Sequence, residues 1–355
     1  MRLAQLRFDV TAACLTAMAV GLVGCQGPRS ERQSPSPELG VAIVHDLQQG
    51  FKGDDVQDAG GCLTGDGDLI YATAVGEIFQ LDEQVHSLLP PANARESITS
   101  LVCGDGGLFG WIQDNRVDTI STFDVNSGLL RSTRITDASA ITFSSRRSVL
   151  IAAETRLLAW FPHLGKNTAP VPVGAASSTM SWPEDVEITS NADYAALVEP
   201  GGAEVWRLNP WPPEVLGFLR CDCWDAGLST NADPPVAALA TGDRVRLLRL
   251  DTGRAVETLK LRPPSVPTSV VGAPPPELGI AAVSPTGRYV AAGWPDPPTL
   301  TVWDRETDEE VLVEVGPGPP ARISWTATDN YLLVELGASA EGNGNLLQVK
   351  VTPRS

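Results

Sequence analysis

The chain has 355 residues, with 43 acidic against 26 basic side chains and a formal net charge of −17. That balance argues against a nucleic-acid partner, whose affinity would come from Lys and Arg neutralising phosphates, and against adhesion to anionic lipid by charge alone. At 43% hydrophobic residues the chain can fold as one large domain or two modest ones.

In chain order the first feature is a secretory signal. Arg2 and Arg7 give a positively charged opening, an apolar run follows from Val10 to Val23, and small residues precede a cleavage point. Asp9, just before the run, departs from the charge pattern. The run falls short of the roughly 20 apolar residues of a permanent membrane-spanning helix. Its last residues, Leu22-Val23-Gly24-Cys25, resemble the lipobox of bacterial lipoproteins. The resemblance implies cleavage between Gly24 and Cys25 and acylation of Cys25 with palmitate-like chains. Each buried CH₂ would add about 0.8 kcal/mol of membrane anchoring. The protein is then expected on a cell membrane or outer membrane, facing the periplasm or exterior. Removal of residues 1–24 takes away Arg2, Arg7 and Asp9, a net +1, and leaves −18. Cys25 and the polar, Pro-containing stretch Gln26 to Glu38 read as a lipidated tether, and the folded domain is expected over 39–355.

From there the chain repeats. A strand ending in an acid or its amide recurs as Ile78-Phe79-Gln80-Leu81-Asp82, Ile120-Ser121-Thr122-Phe123-Asp124, Val205-Trp206-Arg207-Leu208-Asn209, Leu247-Leu248-Arg249-Leu250-Asp251 and Leu300-Thr301-Val302-Trp303-Asp304. A degenerate copy, Leu158-Ala159-Trp160-Phe161-Pro162, fills the gap before the third. The ends lie 42, 38, 47, 42 and 53 residues apart, close to the roughly 40–45 residues of a four-stranded propeller blade. Turns rich in Asp, Asn, Ser and Gly flank each copy, as in Asp124-Val125-Asn126-Ser127-Gly128 and Asp251-Thr252-Gly253. No stretch after Cys25 sustains a helical period, so the fold class is all-β.

Ser284-Pro285-Thr286-Gly287-Arg288-Tyr289-Val290-Ala291-Ala292-Gly293, followed by Leu300 to Asp304, resembles a WD40 repeat. The family's Gly-His dipeptide is missing, and three histidines (His45, His86, His163) cannot supply its Asp-His-Ser/Thr-Trp network blade after blade. The resemblance implies a WD40-like β-propeller of about seven four-stranded blades, at 60–90, 97–135, 138–173, 177–221, 226–261, 278–315 and 320–351. The last unit has only three strands of its own, and Val41-Ala42-Ile43-Val44 is expected to complete it and close the ring. The Pro-rich stretch from Arg262 to Glu277 reads as a stiff, exposed connection between two blades.

With Cys14 removed and Cys25 acylated, Cys62, Cys103, Cys221 and Cys223 remain. Four cysteines in an oxidising compartment allow two disulfides in three connectivities. Cys62 with Cys103 is the first expected pairing, because both fall at nearly equivalent places in the innermost strands of consecutive blades. Cys221-Asp222-Cys223 lacks the two-residue spacing of zinc sites, and no metal or cofactor is expected.

No catalytic constellation stands out. His45 and His86 fall in strands and His163 in a turn, and the chain has no nucleophile elbow, phosphate loop or His-Glu-x-x-His. Asp54, Asp55, Asp66 and Asp68 read as turn residues rather than an EF-hand. Trp160, Trp206 and Trp303 recur within the repeated strands and read as blade packing. Two function classes follow. One is a non-catalytic, membrane-tethered platform that binds an envelope protein. The other is a propeller enzyme or small-ligand binder, lactonase-like or quinoprotein-like, which would need polar groups converging on the central channel.

Overall fold

The computed structural model describes residues 39–353 apart from 47–60, 65–66, 74–75, 82–84, 90–97, 114–116, 144–147, 155, 165–167, 176–184, 190–192, 200, 210–211, 221–224, 230–231, 266–275, 327 and 338–344. Gly24, Cys25, the tether, Asp54, Asp55, Asp66, Cys221 and Cys223 therefore lie outside the described residues, as do the side chains of His45 and His86.

The described chain is all β-strand apart from turns. It begins with β1 (Gly40–Asp46), and six four-stranded units follow. The first is β2 (Gly61–Leu63), β3 (Leu69–Ala72), β4 (Ile78–Leu81) and β5 (Val85–Leu89). The second is β6 (Ile98–Cys103), β7 (Leu108–Gln113), β8 (Asp118–Asp124) and β9 (Leu129–Ile135). The third is β10 (Ala138–Phe143), β11 (Val149–Ala153), β12 (Arg156–Trp160) and β13 (Val171–Ala175). The fourth is β14 (Asp185–Ile188), β15 (Tyr194–Glu199), β16 (Gly202–Arg207) and β17 (Glu214–Arg220). The fifth is β18 (Asp225–Leu228), β19 (Val236–Thr241), β20 (Arg244–Arg249) and β21 (Ala255–Lys260). The sixth is β22 (Ile280–Val283), β23 (Tyr289–Pro295), β24 (Pro298–Asp304) and β25 (Glu309–Glu314). A seventh combines β26 (Pro320–Trp325), β27 (Tyr331–Leu336) and β28 (Asn345–Thr352) with β1.

The first six units are antiparallel meanders, the seventh is antiparallel with β1 as its outer strand, and the seven are the blades of a β-propeller. In the seventh, β1 pairs antiparallel with β28, from Gly40 opposite Thr352 to Asp46 opposite Leu347, and so covers the β28 edge. First strands neighbour one another around the ring, β2 beside β6, β6 beside β10, and onward to β26 beside β2.

The sequence explains which strands lie inside. Second strands are continuous apolar runs, such as Val149–Ala153 and Val236–Thr241, because neighbouring blades cover both of their faces. Alanines are frequent there (Ala195, Ala196, Ala237, Ala238, Ala291, Ala292), and all six are fully buried. The six recurring segments found in the sequence are the third strands, β4, β8, β12, β16, β20 and β24. Burial along them follows no single alternating pattern. β16 and β12 are buried along nearly their whole length, since both faces meet a neighbouring blade. Outer strands carry the exposure.

The core is correspondingly a ring of clusters between blades. Ile112 and Ile120 meet Ile141 and Ile151, Ala140 and Leu150 meet Val186 and Leu197, and Leu333 and Leu346 meet Leu63 and Tyr71. Each fully buried aliphatic side chain contributes roughly 1.5–3 kcal/mol. Trp160, Trp206 and Trp303 sit in three of these inter-blade clusters.

Blades five and six are joined more closely than the others. Strands β18 and β22 hydrogen-bond in parallel, Asp225 opposite Ile280 and Ala226 opposite Ala281, which merges the two blades into one eight-stranded sheet. On its other side β18 is held by Glu187, whose Oε2 accepts the Leu228 N–H at 2.5 Å. Gly227 permits the close approach, since a Cβ there would stand 2.6 Å from the Ala282 Cα. Gly227→Ala is expected to cost about 1–3 kcal/mol through forced strand separation. A lower urea midpoint with an unchanged denaturant slope would report it.

Arg262, Pro263, Ser265 and Glu277 of the Pro-rich connection are exposed, and its first residues also make contact with the fold. Pro264 is buried, and the Arg262 N–H donates to Glu310 Oε1 on β25 at 2.8 Å. Burial raises the Glu310 pKa, an effect that this backbone contact opposes. The start of the segment is thus pinned to the next blade.

Candidate functional site

Polar side chains on or just after three of the third strands hold turns of their own blade. In blade one Gln80 Nε2 donates to Asp68 in the turn between the first and second strands, at 2.9 Å. In blade two Asn126 Nδ2 donates to the Gly106 carbonyl at 2.8 Å, and in blade four Asn209 Nδ2 donates to Asp193 at 2.8 Å. Each contact clamps the far end of a blade to its own turn. Asp68 is therefore a turn-fixing residue.

Blade six elaborates this clamp into a site. The Ser284 hydroxyl accepts the Tyr289 N–H at 3.0 Å, and the Gly287 N–H donates to the Ser284 carbonyl at 2.8 Å. Gly287 turns with φ +80°, a conformation glycine adopts without strain. This turn presents Arg288 to Asp304 at the end of β24. Arg288 Nη2 lies 2.7 Å from Asp304 Oδ2, and Nε lies 3.2 Å from both carboxylate oxygens. Asp304 is fully buried, while a quarter of the Arg288 side chain reaches solvent. Burial would raise the Asp304 pKa, but Arg288 and the Glu306 N–H at 2.9 Å outweigh it and hold the carboxyl below its ordinary value. Asp304 in turn holds the Arg288 pKa above the usual arginine range.

Neighbouring blades add charges. Glu306 Oε2 lies 3.1 Å from Arg288 Nη1. Arg305 Nε donates to Glu257 of β21 at 2.9 Å, and its Nη1 donates to the Gly287 carbonyl. Across the seam, Asp329 in the β26–β27 turn accepts the Thr286 N–H at 3.2 Å and the Thr286 hydroxyl. Arg288 also stands 5.0 Å above the Tyr289 ring, which stacks on Trp325 of blade seven at 6.1 Å. The Tyr289 hydroxyl and the Trp325 indole N–H are buried with no hydrogen-bond partner, and burial raises the Tyr289 pKa.

Thr286, Arg288, Tyr289, Arg305, Glu306 and Asp329 line an open depression of about 610 Å³ between blades six and seven, and Asp304 and Glu257 pair with its two arginines. Two arginines (Arg288, Arg305) face four carboxylates (Asp304, Glu306, Asp329, Glu257), so the cluster carries a net −2. Both arginines are engaged by carboxylates, and the Thr286 hydroxyl donates to Asp329. Chemically it is a rigid, mildly acidic seam suited to binding hydrogen-bond donors.

The sequence-derived candidates lie elsewhere. Cys62 on β2 and Cys103 on β6 are joined by a disulfide with Cα atoms 5.4 Å apart, linking the inner strands of blades one and two. His163 is exposed in a short 3₁₀ turn, edge-on to Phe161 at 6.3 Å. Trp160 Nε1 donates to the Thr168 carbonyl and Trp206 Nε1 to Glu204, each within 3.0 Å. Among the described residues, no three of His, Cys, Asp and Glu come together as metal ligands. Sequence reasoning missed the Arg288–Asp304 pair although it quoted both residues. The available signal was an arginine after the Gly287 turn combined with an acid closing the same blade.

No protein-family model matches the chain, and no curated protein matches it in sequence.

Proposed function

We propose that this protein is a lipoprotein anchored outside the cytoplasm through Cys25, whose propeller acts as a non-catalytic platform for another envelope protein. The observation that carries the platform reading is the apolar exposure of blade two. Val117, Val125, Leu129 and Leu130 are each more than a third exposed on or beside its two outermost strands. Among the described residues these are four of the ten large apolar side chains that are exposed, and a local concentration of apolar surface marks an interaction site. The Cys62–Cys103 disulfide supports the location, because such bonds persist in oxidising compartments. The mutually engaged charges between blades six and seven favour a rigid scaffold over a reacting centre.

Affinity purification of the full chain from crosslinked envelopes, beside a Cys25→Ala version, tests the reading. A small, reproducible set of partners lost in the Cys25→Ala version is the expected result. Capture of no partner, or of the same set with either version, overturns it.

A further inference from the structure

The outer strand of every blade presents an edge, and six of the seven outer strands carry a feature that discourages pairing. β1, β5, β13, β17 and β21 each slip register against their neighbour, at Ile43/His45, Ile78/Phe79, Leu157/Leu158, Val205/Trp206 and Leu247/Leu248 respectively. Such bulges twist an edge away from further strands. β13 also contains Pro172, which cannot donate to a ladder. β25 is in register but carries Glu309, Glu310 and Glu314 along its six residues.

β9 differs from all of these. It pairs with β8 residue for residue, from Asp118 opposite Ile135 to Asp124 opposite Leu129, and no described strand lies on its outer side. Its sequence, Leu129-Leu130-Arg131-Ser132-Thr133-Arg134-Ile135, has no acid, proline or glycine. Leu129 and Leu130 are 42% and 47% exposed. Arg131 and Arg134 take part in none of the described ion pairs; Arg131 Nη1 donates to the Leu130 carbonyl at 3.2 Å, and its Nε is buried without a hydrogen-bond partner. A flat, regular edge bearing unneutralised cations is unusual on a chain of net charge −17.

We propose that the free edge of β9 receives an extended acidic segment of a partner protein as a fifth strand of blade two. The proposal rests on the platform reading and gives that platform's partner a chemistry. Backbone N–H and C=O groups of β9 would pair with the segment, and alternate side chains would set its identity. Arg131 and Arg134 are three residues apart and therefore point to opposite faces of the sheet. The segment thus carries two carboxylates three residues apart, each able to take charge-assisted hydrogen bonds, next to two apolar residues opposite Leu129 and Leu130. A second copy offering its own β9 would bring arginines towards arginines, which like-charge repulsion disfavours.

The probe is a fluorescein-labelled peptide, Val-Glu-Thr-Thr-Glu-Val-Val, titrated into the full chain at physiological ionic strength. Binding is followed by anisotropy and by hydrogen exchange of the β9 amides. Expected results are saturable binding with slowed β9 exchange, at least tenfold weaker binding to R131E/R134E, and none by the peptide N-methylated at alternate residues. Glutamates keep the edge charged, so a purely protective role for the arginines would leave binding unchanged. Should R131E/R134E not fold by circular dichroism, R131Q/R134Q carries the same comparison. No binding, equal binding to the variant, or equal binding of the N-methylated peptide overturns the proposal. If the peptide fails while Cys25-dependent partners persist in envelopes, β9 is not the docking edge and the platform reading stands. Peptide binding without such partners has the reverse meaning.

Discussion

Replacing Cys62 and Cys103 together by alanine is expected to lower the stability of the propeller by about 4 kcal/mol, among the largest changes two surface-compatible substitutions can make here. The bond spans a sequence separation of 41 residues. Closing a loop of that size removes chain entropy from the unfolded state, worth between the roughly 3 kcal/mol of a 15-residue loop and the 4.7 kcal/mol of a 100-residue one. The bridge also joins neighbouring blades, β2 to β6, whose other shared contacts are apolar: Cys62, Ile70 and Ala72 pack with Leu101, Phe109 and Trp111. Alanine at both positions leaves that cluster largely intact and isolates the cross-link. Thermal unfolding should show the loss as a midpoint lower by about 5–10 °C. Dithiothreitol should reproduce it in the unaltered protein and leave the double variant unmoved. An equal midpoint before and after substitution would show that the bond is not stabilising. Any further response of the double variant to reductant would trace to Cys221 and Cys223.

The parts of the fold that the sequence revealed are those encoded locally. Third strands were visible in part because polar groups on or just after them hold turns of their own blade, as Gln80 holds Asp68 and Asn209 holds Asp193. A contact within one blade repeats at the blade period, so it leaves a periodic trace. The second strands offered no alternation, because burial on both faces erases it, and they read only as short apolar runs. The seam between blades six and seven was not legible. Glu257, Thr286, Arg305 and Asp329 belong to three blades and are brought together by ring geometry, with no fixed spacing to reveal them. Glu257 alone reads as a solvated charge on an outer strand. β9 escaped notice for a related reason. What distinguishes it is an acid-free edge that lacks a bulge, and a bulge is a property of paired strands that no single strand's sequence displays.

Arg288→Ala is expected to destabilise the protein by about 3 kcal/mol, because it strands a carboxylate that the fold has removed from water. Asp304 is fully buried, and Arg288 supplies most of its charge compensation through three close nitrogen–oxygen contacts. Breaking a buried pair from one side typically costs about 3–5 kcal/mol, and the partial exposure of Arg288 places this pair at the lower end. The converse change, Asp304→Asn, should cost less. Arg288 can turn its guanidinium toward solvent or Glu306, and the asparagine Oδ1 can still accept the Glu306 N–H. R288M/D304N should therefore be more stable than R288A, since no bare charge remains buried. The pH dependence separates this account from simple loss of packing. In the unaltered protein the folded pKa of Asp304 lies below its unfolded value, so the unfolded chain binds that proton more tightly. The stabilisation is complete above about pH 5 and is lost as pH falls through the folded value. In R288A burial acts unopposed by the guanidinium and raises the same pKa, so protonation relieves the strain at a milder pH. The stability gap between the two proteins should be widest near pH 7 and should narrow as the pH falls, as read by urea midpoints at each pH. A gap that stays constant down to pH 4 would mean that Arg288 acts through its packing on Tyr289 rather than through the charge of Asp304.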